Sequence, residues 1–176
     1  MPRSAFAPGL WSDQVSPATY GSPEQYYEHM FEQYKLYVHS AEEISARRNL
    51  ANTFFLTLNT LLLGLIGFSY DKVQQLAHPE ILIVPAIVCV MLCMLWGRLL
   101  LSYKQLNEAK YMVIGEFECR LPTSPYWRAE WYLLSEGPKS RRYKMLSDTE
   151  RWVPRIFTAL YSLISIALLL LSLGIL

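Results

Sequence analysis

Three apolar runs alternate with polar stretches along the chain, at residues 51–69, 81–101 and 156–176. Each is close to the ~20 residues that a helix needs to cross the hydrocarbon core of a bilayer. The pattern predicts an all-α membrane protein with three transmembrane helices and long cytoplasmic helical extensions. The organisation expected from it is an irregular N-terminal arm (1–22), a cytoplasmic helix (23–50) and a first span (51–69). An external link (70–80), a second span (81–101), a cytoplasmic helical region (102–155) and a third span (156–176) follow.

The prolines, glycines and serines of the first 22 residues read as an irregular arm, with Leu10 and Trp11 as candidates to pin it. Ser22-Pro23-Glu24 then signals a helix start, a serine cap followed by proline at the first helical position. No breaker interrupts the next stretch. Tyr27, Phe31, Tyr34, Val38 and Ala41 recur at spacings of four and three, one stripe of a helix about 42 Å long over about 28 residues. Continued at the same period, that stripe meets Ser45, Arg48, Asn52, Phe55 and Asn59, so the soluble helix is expected to run into the first span. Pro85 falls in the first turn of the second span, where a missing N–H matters least. The helix that continues from this span should stop at Leu121-Pro122. Beyond it, Trp127, Trp131 and Leu134 share one α-helical face, and Gly137-Pro138 marks a turn. Ser147-x-x-Glu150 resembles a capping box, and Pro154 is expected to kink the last helix as it enters the third span.

The first span is not a plain anchor. It carries Asn52, Thr53, Thr57, Asn59 and Thr60, polar groups that are costly in hydrocarbon unless protein or water meets them. These five are the candidates for an axis or assembly face. Asn52 and Asn59, seven apart, share one side of the helix, and Asn59 lies about 13 Å along from Leu50. They fit either a hydrogen bond between helices of one subunit or a ring of asparagines at the axis of a homo-oligomer. Thr57, Thr60, Gly64 and Gly67 form a small-residue ladder of the kind that lets membrane helices approach closely. Arg47, Arg48, Arg98, Trp152 and Arg155 stand where interface anchors are expected, long basic chains and an aromatic ring at the edges of the spans.

Lysine and arginine set the orientation. Residues 1–50 hold Arg3, Lys35, Arg47 and Arg48, the link holds only Lys72, and residues 103–155 hold ten. The N-terminus and the 102–155 region are therefore expected in the cytoplasm, with the link and C-terminus outside. Lys139, Arg141, Arg142 and Lys144 within that region read as an anionic-lipid or topology signal.

Composition narrows the chemistry. Apolar residues make up 52% against 18% charged, and a net charge of +1 argues against a nucleic-acid partner. Cys89 and Cys93, one turn apart inside the second span, lack the further ligands a metal site needs and read as small apolar residues. His29, His39 and His78 stand apart from any nucleophile or ligand partner. The acidic pairs Glu42/Glu43 and Glu116/Glu118 read as exposed helix charges. No glycine-rich phosphate loop or nucleophile elbow occurs. Neither a catalytic residue, a metal site nor a cofactor site is expected, and the protein is not read as an enzyme.

Three blocks carry a family resemblance: EQYKLYVHSAEEISARRNLANTFFLTLNT (32–60), SYKQLNEAKYMVIGEFECRLPTSPYWRAEW (102–131) and YKMLSDTERWVPRIFTALY (143–161). Together they resemble small bacterial integral membrane proteins that accompany antiphage defence systems, the SLATT-like and CRISPR-accessory pore-like membrane effectors. The resemblance implies a homo-oligomer in the bacterial inner membrane, a ring of about eight. With the polar residues of the first span needing partners or water, the function expected is a protein that forms or gates a pore when a cytoplasmic partner signals. The alternative is a non-conducting scaffold that docks such a partner.

Overall fold

A computed structural model of the chain describes residues 7–12, 14–75, 79–130, 132–136 and 150–173. Among these there is no strand. A short turn, α1 (Ala7–Leu10), precedes the 53-residue α2 (Pro23–Gln75). A 3-10 turn at Pro79–Leu82 leads into the 36-residue α3 (Ile83–Glu118). Two π-helical segments follow, Pro125–Glu130 and Tyr132–Glu136, and then α4 (Trp152–Ser172). Three of these helices, α2, α3 and α4, are long and apolar enough to cross a membrane.

The start of α2 follows its cap. The Ser22 hydroxyl accepts from the Gln25 N–H (3.2 Å), meeting one of the orphan donors of the first turn. Glu24 sits among those donors, and its own backbone N–H, then Ser22, holds its carboxyl below the ordinary range. At its other end α2 runs six residues into the stretch expected to be a link. Tyr70–Gln75 contain no glycine or proline, and a helix leaving hydrocarbon stops at a breaker, not at a change of polarity.

Pro154 acts on the turn ahead of it. Glu150 is helical, Arg151 keeps right-handed helical angles (φ −68°, ψ −18°) and α4 starts at Trp152, so the helix is interrupted within four residues before the proline, which removes the bond to residue 150 and crowds its carbonyl. One expectation is corrected: the described part of the 125–136 stretch is π-helical, not α-helical, so Trp127 and Leu134 do not take the α-helical register expected of them. Its turns are wider, with the Ala129 N–H donating five residues back to Ser124 O (3.1 Å). Trp131, the Gly137-Pro138 turn, Ser147 of the capping box and the basic residues from Lys139 to Lys144 lie outside the described residues.

The chain divides into two compact units, one built from Met1–Ser45 and Gln105–Tyr143, the other from Ala46–Lys104 and Lys144–Leu176. The first unit has an ordinary buried core of Met30, Tyr34, Ala41, Ile114 and Phe117. Trp11 pins the N-terminal arm to it, edge-on to Phe117 (centroids 5.3 Å) with the Arg120 guanidinium 3.5 Å from its ring centre. The second unit is a three-helix bundle with its apolar residues on the outside as well as within. Leu61, Leu65, Phe68, Val84, Met91 and Leu163 are all more than half exposed, the surface expected of helices solvated by lipid.

Candidate functional site

In the second unit the first span presents three distinct sides. The inward side carries Asn52, Phe55, Asn59, Leu62, Leu63 and Ile66, packed on α3 and α4. Phe55 stacks on the fully buried Trp96 (5.8 Å, 10°), which in turn meets Phe157. One layer deeper, Asn59 is completely enclosed. Its Nδ2 donates to Phe55 O of its own helix (2.8 Å), and its Oδ1 accepts from the Cys93 thiol of α3 (3.1 Å). The Tyr161 hydroxyl of α4 donates to its backbone oxygen (2.8 Å). Asn59 thus ties all three helices of one subunit together.

Of the two expectations for Asn59, that geometry is the one of a hydrogen bond between helices of one subunit: both polar atoms of its side chain are engaged inside the chain. The stripe that runs from Tyr34 through Ala41, Asn52 and Asn59 is taken up by the chain's own packing. Its first two members behave differently, with Tyr27 52% and Phe31 45% exposed. Asn52 is half-buried, and its Oδ1 is shielded from solvent with no donor in reach among the described residues.

About 120° around the helix from Asn59 lies a second side. Thr53, Thr57, Thr60, Gly64 and Gly67 follow one another at spacings of 4, 3, 4 and 3, and all five are exposed. A Cβ added at Gly64 or Gly67 would meet nothing within 4 Å. The Thr60 hydroxyl donates back to Leu56 O (2.9 Å), so its polarity is met by its own helix. The third side, with Phe54, Leu61, Leu65 and Phe68, is bulky, apolar and exposed. The five expected candidates therefore divide: Asn52 and Asn59 face the subunit interior, and Thr53, Thr57 and Thr60 face outward.

Of the expected anchors, Arg47, Arg98, Trp152 and Arg155 are exposed, and the Arg155 guanidinium lies 5.4 Å from the Trp152 ring centre. Arg48 is drawn inward: its Nε is 3.5 Å from a Glu150 carboxylate oxygen, and both side chains are only 13% exposed.

In the first unit the sequence reading missed the central polar group. Glu118 is 2% exposed, not a solvated helix charge. Its two oxygens accept from the Tyr34 hydroxyl (3.1 Å), the Ser124 hydroxyl (2.7 Å), and the backbone N–H groups of Tyr126 (3.1 Å) and Trp127 (2.9 Å). The last residue of α3 thus caps the start of the next helical segment. Burial, and then Glu118, raise the Tyr34 phenol above the ordinary tyrosine value. Three of its donors lie only six to nine residues ahead, across the Leu121-Pro122 break, whereas Tyr34, which closes the site, is 84 residues away. Tyr161 was more legible, a single phenol inside an apolar span that has to find an acceptor.

No curated protein and no solved structure matches the chain. Residues 31–171, from the first unit's aromatic stripe to the last turn of α4, match the octameric membrane protein family (8xMP), and the chain belongs to that family.

Proposed function

We propose that this chain is one subunit of a homo-octameric ring in the bacterial inner membrane that forms or gates a pore, a membrane effector in antiphage defence. The observation that carries the reading is the exposed side of the first span, Thr53, Thr57, Thr60, Gly64 and Gly67. Small residues at alternating spacings of four and three suit a helix partner that approaches closely with left-handed crossing. Hydroxyls and glycines are also poor groups to leave against lipid tails. The family's description as octameric supplies the partner, further copies of this chain.

Ring geometry supports conduction. Helices in contact lie about 8–10 Å apart, so eight around one axis have their centres on a circle of about 10–13 Å radius. Subtracting about 5 Å for each helix leaves an opening of about 5–8 Å radius, too wide to close by first-span contact alone. The excess of lysine and arginine in residues 1–50 and 103–155 over the link puts the N-terminus and the first unit in the cytoplasm. There the groove of the first unit, lined by Tyr27, Phe31, Arg120, Pro122 and Pro125, is available to a signalling partner. The reading needs no catalytic residue.

A second reading is a non-conducting scaffold that docks the same partner. It is favoured by the Thr60 hydroxyl returning to its own helix and by Asn59 being closed off, so neither of these two polar groups requires water. Two measurements on the purified protein decide. Native mass in detergent should give eight subunits, and Gly64→Leu should reduce it while leaving helix content unchanged. Dye release from liposomes separates pore from scaffold: vesicles that stay intact at high density of assembled octamer would rule out the pore.

A further inference from the structure

The second unit has a strongly basic end. Phe55 of α2, Trp96, Leu99 and Leu100 of α3, and Val153 and Phe157 of α4 pack into one layer. That layer brings residues 46–58, 94–104 and 150–158 to a common level. Those stretches hold Arg47, Arg48, Arg98, Lys104, Arg151 and Arg155 against the single acid Glu150, six positive charges and one negative, for a net +5. Residues 66–86, at the opposite end of the first two spans, hold Asp71, Lys72 and Glu80, a net charge of −1.

This end also marks where the apolar surface begins. Trp152 is 60% and Ile156 61% exposed on the first turns of α4, directly beside Arg151 and Arg155. Cationic groups bordering an exposed aromatic and an apolar wall match a lipid molecule, headgroup above and acyl chain below. Guanidinium groups suit phosphate oxygens because their planar fork can donate two hydrogen bonds at once. On α2, Arg47 lies about 120° from Asn59 in the sense opposite to the threonine stripe, so a subunit contact along that stripe leaves it accessible.

We infer that this end of the bundle binds the phosphodiester headgroups of anionic phospholipids, with the exposed Arg47 and Arg155 as the contacting cations and Trp152 beside the glycerol. Net charge selects the lipid class. A zwitterionic headgroup carries a cation of its own towards a surface of +5, whereas an anionic one brings only the phosphate. The inference holds whether or not the assembled protein conducts.

The test uses the full-length protein, delipidated in neutral detergent and offered phosphatidylglycerol or phosphatidylcholine, with bound lipid counted by native mass spectrometry. Phosphatidylglycerol should be retained in preference. Arg47→Gln and Arg155→Gln should each weaken that retention by about fivefold, the worth of one base near an anionic surface. Raised salt should erode the preference in the unmodified protein, because exposed charges are screened. Equal retention of the two lipids, or a preference untouched by the substitutions, overturns the inference. Should the variants fail to assemble, the salt series alone decides, and a salt-independent preference refutes the proposal. Displacement of the lipid by inorganic phosphate at equal concentration would reassign the site to a free anion and overturn it as a lipid site.

Discussion

Replacing Asn59 with leucine separates the inward side of the first span from its outward side. The substitution removes the acceptor of the Cys93 thiol (3.1 Å) and the bond to Phe55 O (2.8 Å). The Tyr161 contact survives, since it ends on the backbone oxygen. Only the thiol bond crosses between helices. Such bonds in membranes average about 0.6 kcal/mol and reach about 1.7 kcal/mol, and a thiol is a weak donor. Leucine has similar bulk and adds apolar contact in a site that is already closed. The subunit should therefore lose less than about 1 kcal/mol, and the oligomer should keep its mass. Whatever dye release the parent protein shows from liposomes should be retained. Thr57→Leu is the counterpart. Thr57 is exposed, so the subunit should keep its stability while assembly fails. Native mass and dye release on both variants give the answer. An Asn59→Leu protein that folds and assembles yet no longer releases dye would show that Asn59 faces the conducting path and that its enclosure has been misread.

The first unit supplies the other expectations. A Cβ at Gly115 would lie 2.7–3.0 Å from the Trp127 ring, so Gly115→Ala should cost about 1–3 kcal/mol of overpacking and shift tryptophan fluorescence. Unchanged melting and emission would contradict that contact. Glu118→Ala strips the acceptor from four donors in a buried site, and at about 1–3 kcal/mol for each group left unsatisfied the loss should exceed that of Tyr34→Phe in urea denaturation. Tyr34 also sets a pH dependence. Its phenol is raised in the folded chain, so its contribution is fully present below about pH 10, the ordinary tyrosine value, and is lost above it as unfolded chains ionise first. Denaturation midpoints at pH 9 and pH 11 should diverge more for the parent protein than for Tyr34→Phe.

The sequence alone determined what depends on neighbours along the chain. Apolar runs of about 20 residues specify spans because every backbone group in hydrocarbon must be bonded within its own helix. The serine–proline start of α2 and the Pro122 stop after α3 act through local backbone geometry in the same way, and the 4-3-4-3 recurrence of threonine and glycine is visible without coordinates. Tertiary structure decided which side of each helix is occupied. Asn59 was recognisable as a residue that lipid would not solvate, but its partners Cys93 and Tyr161 lie 34 and 102 residues away. Periodicity lines residues up on one face and says nothing about which helix covers it. The asparagine stripe therefore became the interior of the subunit, and the adjacent threonine stripe stayed exposed. Glu118 shows the same limit from the opposite direction: three of its donors follow within nine residues, but only the fold of the turn at Pro122 and the arrival of Tyr34 from 84 residues away bury the carboxylate among them.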